Sequence, residues 1–294
     1  IVPGLGMALN TFTQKGDKVM IQPPVYGPFH WLNTRGDRTL VTNPLKLVDG
    51  MYRMDMEAFR RDVKGCKVFI LCNPHNPGGV VWTEEELKEV AEICYEEGVL
   101  VFSDEIHADL TLPPHKHRPF AMVSEKARMN SVTFMSPSKA FNMPGLTASH
   151  ALIFNPKLRR KFHTYLESSE LDLGHVFAFL AVEAAYSHGT EWLDQCLAYI
   201  QGNIDYVDEF TKQHTPKIKV IRPQASFLVW LDCREMGLSQ DALNDFFVDK
   251  AHLALNNGVA VGEEGEGFMR LNVASPRSVL EQAMKQLADA YVAL

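Results

Sequence analysis

Lys67-Val68-Phe69-Ile70-Leu71-Cys72-Asn73-Pro74-His75-Asn76-Pro77-Gly78-Gly79 passes from a near-continuous apolar run into a loop of turn-forming residues. The first six residues suit a strand covered on both faces, and the next seven suit a tight, polar connection. A helix signal follows. Thr83 and Glu86 make a capping box, Leu87, Val90, Ala91 and Cys94 fall at helical spacing, and Gly98 stops the helix. Val99 to Ser103 then gives a second apolar strand. Strand, helix and strand in this order predict a βαβ unit with parallel strands. Further strands are expected at Val19 to Gln22, Val132 to Met135 and Ala148 to Phe154. The fold class is therefore α/β, three layers deep, with a mostly parallel sheet.

From about Glu191 the alternation becomes less regular. A long helix is predicted from Trp192 to His214, a strand from Phe227 to Asp232, a helix near Ser239 to Leu255 and a strand from Phe268 to Val273. Ser275-Pro276 suits the start of a last helix, whose apolar face is Val279, Leu280, Ala283, Met284, Leu287, Tyr291 and Leu294. The long helix marks an expected boundary: a large domain over residues 1–195 and a smaller α+β domain over 196–294.

The 294 residues are 46% hydrophobic and 22% charged, as in an ordinary globular protein, and disorder is excluded as the main state. Lys and Arg total 29 against 36 Asp and Glu, a net charge of −7, so nucleic acid and anionic membrane surfaces are not expected partners. No apolar run approaches the ~18 residues of a membrane helix, and no signal-peptide pattern opens the chain. The expected location is the cytoplasm. Cys66, Cys72, Cys94, Cys196 and Cys233 are odd in number with no CxxC pair, which predicts reduced thiols and no zinc site.

Polar residues gather after each strand of the large domain. Pro23-Pro24-Val25-Tyr26 follows the first, Asn73 to Gly79 the second, Asp104-Glu105-Ile106-His107 the third and Ser136-Pro137-Ser138-Lys139 the fourth. Ligands bind outside the carboxyl ends of open parallel sheets, so Tyr26, Asn76, Asp104 and Lys139 are expected in one crevice. An acid, a lysine, an aromatic and an amide suit a pyridine-ring aldehyde. The carboxylate keeps the ring nitrogen protonated, the lysine forms a Schiff base, and the aromatic stacks on the ring.

Together with Ala140-Phe141-Asn142 and Arg270-Leu271-Asn272, these ordered motifs resemble the fold-type I pyridoxal-phosphate enzymes of the aminotransferase class I/II superfamily. The resemblance covers essentially the whole chain. It implies that Lys139 is the Schiff-base lysine and proton carrier, Asp104 the partner of the pyridine nitrogen, and Asn76 the donor to the cofactor's phenolic oxygen. Tyr26 would stack on the ring. Ser136 and the backbone N–H groups of a helix starting near Ile1 and Val2 would hold the phosphate. Arg270 would clamp the substrate carboxylate bidentately. A homodimer acting on an amino acid is expected. Because the chain opens on Ile1 with no Met, inside the expected phosphate cup, the resemblance also implies that an amino-terminal segment is missing.

Two details favour one branch. His107 stands at the cofactor where aminotransferases usually carry Tyr, and Asp104-Glu105-Ile106-His107-Ala108-Asp109 resembles the cystathionine β-lyase and cystalysin branch. Thr147 occupies the position, eight residues past Lys139, where many relatives place a phosphate-binding Arg. The expected reaction is β-elimination from cysteine S-conjugates to give thiol, pyruvate and ammonia. An aminotransferase is the alternative, and a non-catalytic regulatory protein keeping the fold is a second. His115-Lys116-His117, in a Pro-flanked loop without a carboxylate partner, reads as solvated surface, and Gln224-Ala225-Ser226 replaces the Gly-Thr-Tyr-like sequence expected in the branch.

Overall fold

A computed structural model describes residues 1–294. The helices are α1 (Val2–Phe12), α2 (Pro28–Thr34), α3 (Met56–Asp62), α4 (Glu84–Glu96), α5 (Glu125–Met129), α6 (Pro156–Ser168), α7 (Val176–His188), α8 (Thr190–His214), α9 (Gln240–Asp245) and α10 (Arg277–Val292). The strands are β1 (Lys18–Ile21), β2 (Thr39–Thr42), β3 (Lys46–Val48), β4 (Met51–Arg53), β5 (Cys66–Cys72), β6 (Leu100–Asp104), β7 (Ser131–Met135), β8 (His150–Leu152), β9 (Lys219–Ile221), β10 (Leu228–Asp232), β11 (Asn256–Asn257) and β12 (Phe268–Asn272).

Six strands form one sheet in the order β2-β1-β5-β6-β7-β8. All pairs are parallel except β7 with β8. Successive residues of a strand point to opposite faces. Phe69 and Leu71 therefore join Leu87, Val90, Ala91 and Cys94 of α4 in one core. Val68, Ile70 and Cys72 join Leu5 and Leu9 of α1 and Phe162 of α6 in another. These are the three layers expected from the sequence. Each fully buried large apolar side chain contributes about 1.5–3 kcal/mol, which is why the apolar run of β5 becomes the central strand. The capping box of α4 is formed: the Thr83 hydroxyl accepts the Glu86 N–H at 3.1 Å, and the Glu86 carboxylate accepts the Thr83 N–H at 2.8 Å. Gly98, at φ +67°, turns the chain back after it. All five cysteines are free.

The second sheet, β11-β12-β10-β9, is antiparallel. Strand alternation again separates its residues. Val229, Leu231, Met269 and Leu271 pack with Ile204 of α8 and Leu280 and Met284 of α10. Trp230 and Phe268 face the other way, into the core that holds Phe69. Their rings stack 5.2 Å apart, and the Trp230 N–H donates to the Tyr52 hydroxyl at 3.2 Å. The face carrying Trp230 also carries its cross-strand partner, Arg270.

Two predicted elements differ from expectation. The strand predicted for Ala148 to Phe154 spans only His150–Leu152 and runs antiparallel at the sheet edge, where solvent covers one side and Leu152 stays exposed. The helix predicted to Leu255 stops earlier. After α9 it widens into a π-turn over Phe246–Lys250, so that the adjacent Phe246 and Phe247 both reach the core. Strand β2, the β3–β4 hairpin and α7 carry no signal that the sequence patterns isolate.

Candidate active site

The strand order makes its own crevice. From β1 the sheet grows outward to β2 on one side and to β5, β6 and β7 on the other, so the connections after β1 and β5 diverge. Such a switch point is where open α/β sheets take ligands. There the Tyr26 N–H donates to the Asn76 carbonyl at 3.1 Å. A cavity of about 240 Å³ opens beside it, lined by Ile1, Val2, Tyr26, Asn76, Asp104, His107, Lys139 and Arg270, with Cys72, Ile106, Phe227, Leu228, Asn256 and Asn272. Eight of the nine residues singled out in the sequence thus meet around one space.

Asp104, the last residue of β6, is almost completely buried. One carboxylate oxygen accepts the Ile106 N–H at 3.1 Å, and no side chain pairs with the other. Burial pushes its pKa up to about 6, against the pull of the Ile106 N–H and the Lys139 charge. A carboxylate so placed calls for a cationic partner from the cavity. Lys139 lies in the turn after β7, exposed, and lines the same cavity with no hydrogen-bond partner of its own. His107 is buried edge-on to Phe227, ring centroids 6.2 Å apart, and its Nδ1 is unpaired. Burial, reinforced by the positive charges of Lys139 and Arg270, pushes its pKa down to about 3, so the imidazole is neutral at physiological pH.

Arg270 reaches the cavity from β12. Its two terminal nitrogens donate to Asn76 Oδ1 and Asn256 Oδ1, each at 3.0 Å, while Nε is buried without a partner. Burial lowers its pKa. A guanidinium held by two neutral amides, with no carboxylate, suits a carboxylate supplied by a ligand. Asn256 is a residue the sequence patterns missed; it lies in a two-residue strand with no flanking motif. A smaller adjoining space of about 150 Å³ shares Tyr26, Asn256 and Arg270 and is walled by Trp31 and Trp230.

Ser136 stands apart. It is buried, and its hydroxyl donates to the Ala148 carbonyl at 2.6 Å, with the Ser138 hydroxyl 2.9 Å away. It braces the Lys139 turn and does not line the cavity. His117 departs from the solvated-surface reading. His115 and Lys116 are exposed, but the His117 ring lies 2.7 Å from the carboxylate of Glu105, which is fully buried. Gln224 and Ala225 brace another turn: the Gln224 amide oxygen accepts the Val81 N–H at 2.9 Å, and the Gly79 carbonyl accepts the N–H of both.

Residues 4–287 match the family described as aminotransferase class I and II. The chain belongs to that family. Cystathionine beta-lyase PatB of Bacillus subtilis is 42% identical over 292 residues, which cover 99% of this chain and 76% of PatB. Protein MalY of Escherichia coli is 34% identical over 286 residues, 96% of this chain and 72% of MalY. The crystal structure of cystalysin from Treponema denticola, which contains pyridoxal 5′-phosphate, superposes with a TM-score of 0.97 at 32% identity and covers 99% of this chain and 75% of that one.

Pyridoxal 5′-phosphate is the cofactor of this class I and II family enzyme, and the cavity fits it. The deep end presents a buried carboxyl whose raised pKa is relieved by a protonated ring nitrogen. Lys139 offers a primary amine across the same space. Helix α1 turns its amino-terminal end toward the cavity at Ile1 and Val2, where unpaired backbone N–H groups favour an anion.

Proposed function

We propose that this enzyme is a pyridoxal-phosphate-dependent carbon–sulfur β-lyase, splitting cysteine S-conjugates such as cystathionine into a thiol, pyruvate and ammonia. The observation that carries the reading is the cavity itself. Asp104, Lys139 and an Arg270 without a carboxylate partner line one space, beside a His107 kept neutral by burial. The likeness to PatB supports the branch.

When bound, the cofactor draws electrons away from the substrate Cα. Arg270 holds the α-carboxylate and so fixes which Cα bond faces Lys139. The Lys139 amine takes the Cα proton, and the electron pair left behind expels the sulfur from Cβ as a thiolate, which is protonated on release. Water then completes the conversion to pyruvate and ammonia. Asp104 holds the ring nitrogen's proton, Asn76 offers its amide N–H to the phenolic oxygen, and Tyr26 covers one ring face. The first N–H groups at Ile1 and Val2 serve the phosphate end, and Ser136 braces the turn that carries Lys139.

Incubation with cystathionine and cofactor, without a keto acid, tests the reading. Pyruvate should accumulate, whereas pyruvate formed only when a keto acid is added would establish an aminotransferase. A regulatory protein would show no yellow chromophore dependent on Lys139.

A division into a domain of residues 1–195 and another of 196–294 fits the two sheets, with α8 carrying the boundary. A homodimer is supported by the apolar side chains that Val176, Phe177, Phe179 and Leu180 of α7 expose. A cytoplasmic location accords with the reduced thiols, and no helix is long and apolar enough to cross a membrane.

A further inference from the structure

Two consecutive acids, Asp104 and Glu105, are buried at the end of β6. Strand alternation sends them to opposite sides: Asp104 into the cavity, Glu105 toward Ser103 and the segment before Phe120. Glu105 is held completely. One carboxylate oxygen accepts the Ser103 hydroxyl and the Phe120 N–H, each at 2.8 Å, and the other lies 2.7 Å from His117 Nε2. The other ring nitrogen, His117 Nδ1, is buried without a partner. Asn73 ties the same parts from the next strand. Its N–H donates to the Asp104 carbonyl at 2.9 Å and its side-chain amide to the Arg118 carbonyl at 3.2 Å.

A lone buried carboxylate is costly, and a second one beside Asp104 would oppose its ionisation. The charged neighbours do not relieve it. Arg118 turns outward to Glu84 of α4 at 3.1 Å, Lys116 and His115 are exposed, and Lys139 faces Asp104 across the cavity.

We infer that His117 and Glu105 form a charge-neutral pair behind Asp104, a positioning pair that leaves Asp104 the one acid acting on the cofactor's ring nitrogen. The pair clamps the segment before Phe120 against the end of β6. Neither side chain touches the cofactor. The inference rests on the pyridoxal-phosphate reading of the cavity.

His117→Gln separates charge from hydrogen bonding, because the amide can still donate to Glu105 and carries no proton to share. In the cofactor-loaded enzyme, the pH midpoint of the visible absorbance should then move upward by about half to one unit, the effect of one nearby uncompensated negative charge. The double variant Glu105→Gln/His117→Gln should return the midpoint to the parent value. The cofactor-free double variant should also melt above His117→Gln. A parent-like midpoint in His117→Gln, or a double variant that neither restores the midpoint nor folds better than the single one, overturns the pair. The parent's own pyruvate release and chromophore report on the lyase reading separately.

Discussion

Asn76 Oδ1 accepts a hydrogen bond from Arg270 Nη1 at 3.0 Å, joining the loop after β5 to a strand of the second sheet. On the proposed reading, the substrate clamp is aimed by the same residue that faces the cofactor. In Asn76→Ala, a charged donor loses its acceptor beside an Nε that is already unpaired. A hydrogen bond to a charged group is worth about 1.5–3 kcal/mol, so kcat/KM should fall roughly 10- to 100-fold in steady-state pyruvate release. Asn76→Asp should raise KM further, because a fixed carboxylate would compete with the substrate's for the guanidinium.

Arg270→Lys keeps the charge and removes the fork that reaches Asn76 and Asn256 together. One ammonium cannot hold two amides and a carboxylate in one plane. We expect kcat/KM to drop on the order of 100-fold, mostly through KM, with the visible absorbance of bound cofactor unchanged. A Lys variant with parent-like KM would remove Arg270 from the carboxylate site.

Asp104 ties stability to pH in the cofactor-free protein. Its pKa in the fold, about 6, lies above its ordinary 3.8, so the folded state holds the proton more tightly than the unfolded chain. The stability from this group is complete below about pH 3.8 and is lost as pH rises through about 6. At pH 7 the loss is on the order of 3 kcal/mol, or about 5 °C in Tm for a chain of this size. Cofactor-free Asp104→Asn should therefore melt about 5 °C above the parent at pH 7, with the difference shrinking toward pH 4, while its affinity for pyridoxal phosphate falls. Equal melting of the two proteins across this range would contradict the assignment.

Thr83→Ala should act on stability alone. The hydroxyl closes the first turn of α4, which lies on the far side of β5 from α1, away from the cavity. Loss of such a cap costs about 1 kcal/mol, or roughly 2 °C in Tm, and steady-state constants should stay at the parent values.

The parallel strands were legible because burial on both faces demands apolar runs, and the site because each run ends in residues that only a loop at the sheet's edge would need. Asp104 and Lys139 follow from that rule alone. His117 does not: its carboxylate partner is twelve residues upstream, and only the fold brings Glu105 beneath it. Asn256 escaped for a similar reason, since a two-residue strand has no periodicity to read. Ser136 shows the converse. Its position after β7 was readable, but the Ala148 carbonyl that engages its hydroxyl belongs to a turn formed by tertiary contact. The early end of the helix after α9 reflects packing of Phe246 and Phe247, which local propensity does not encode.

The bond between Asn76 and Arg270 spans 194 residues of chain. Loops of that length close only after much of the molecule is in place, since their closure entropy must be repaid by other contacts. During synthesis, the acid, the amine and the helix start that face the cofactor emerge well before the guanidinium does. On the proposed reading, the nascent chain would carry its means of holding the cofactor before its means of orienting an amino acid, and substrate recognition would come last.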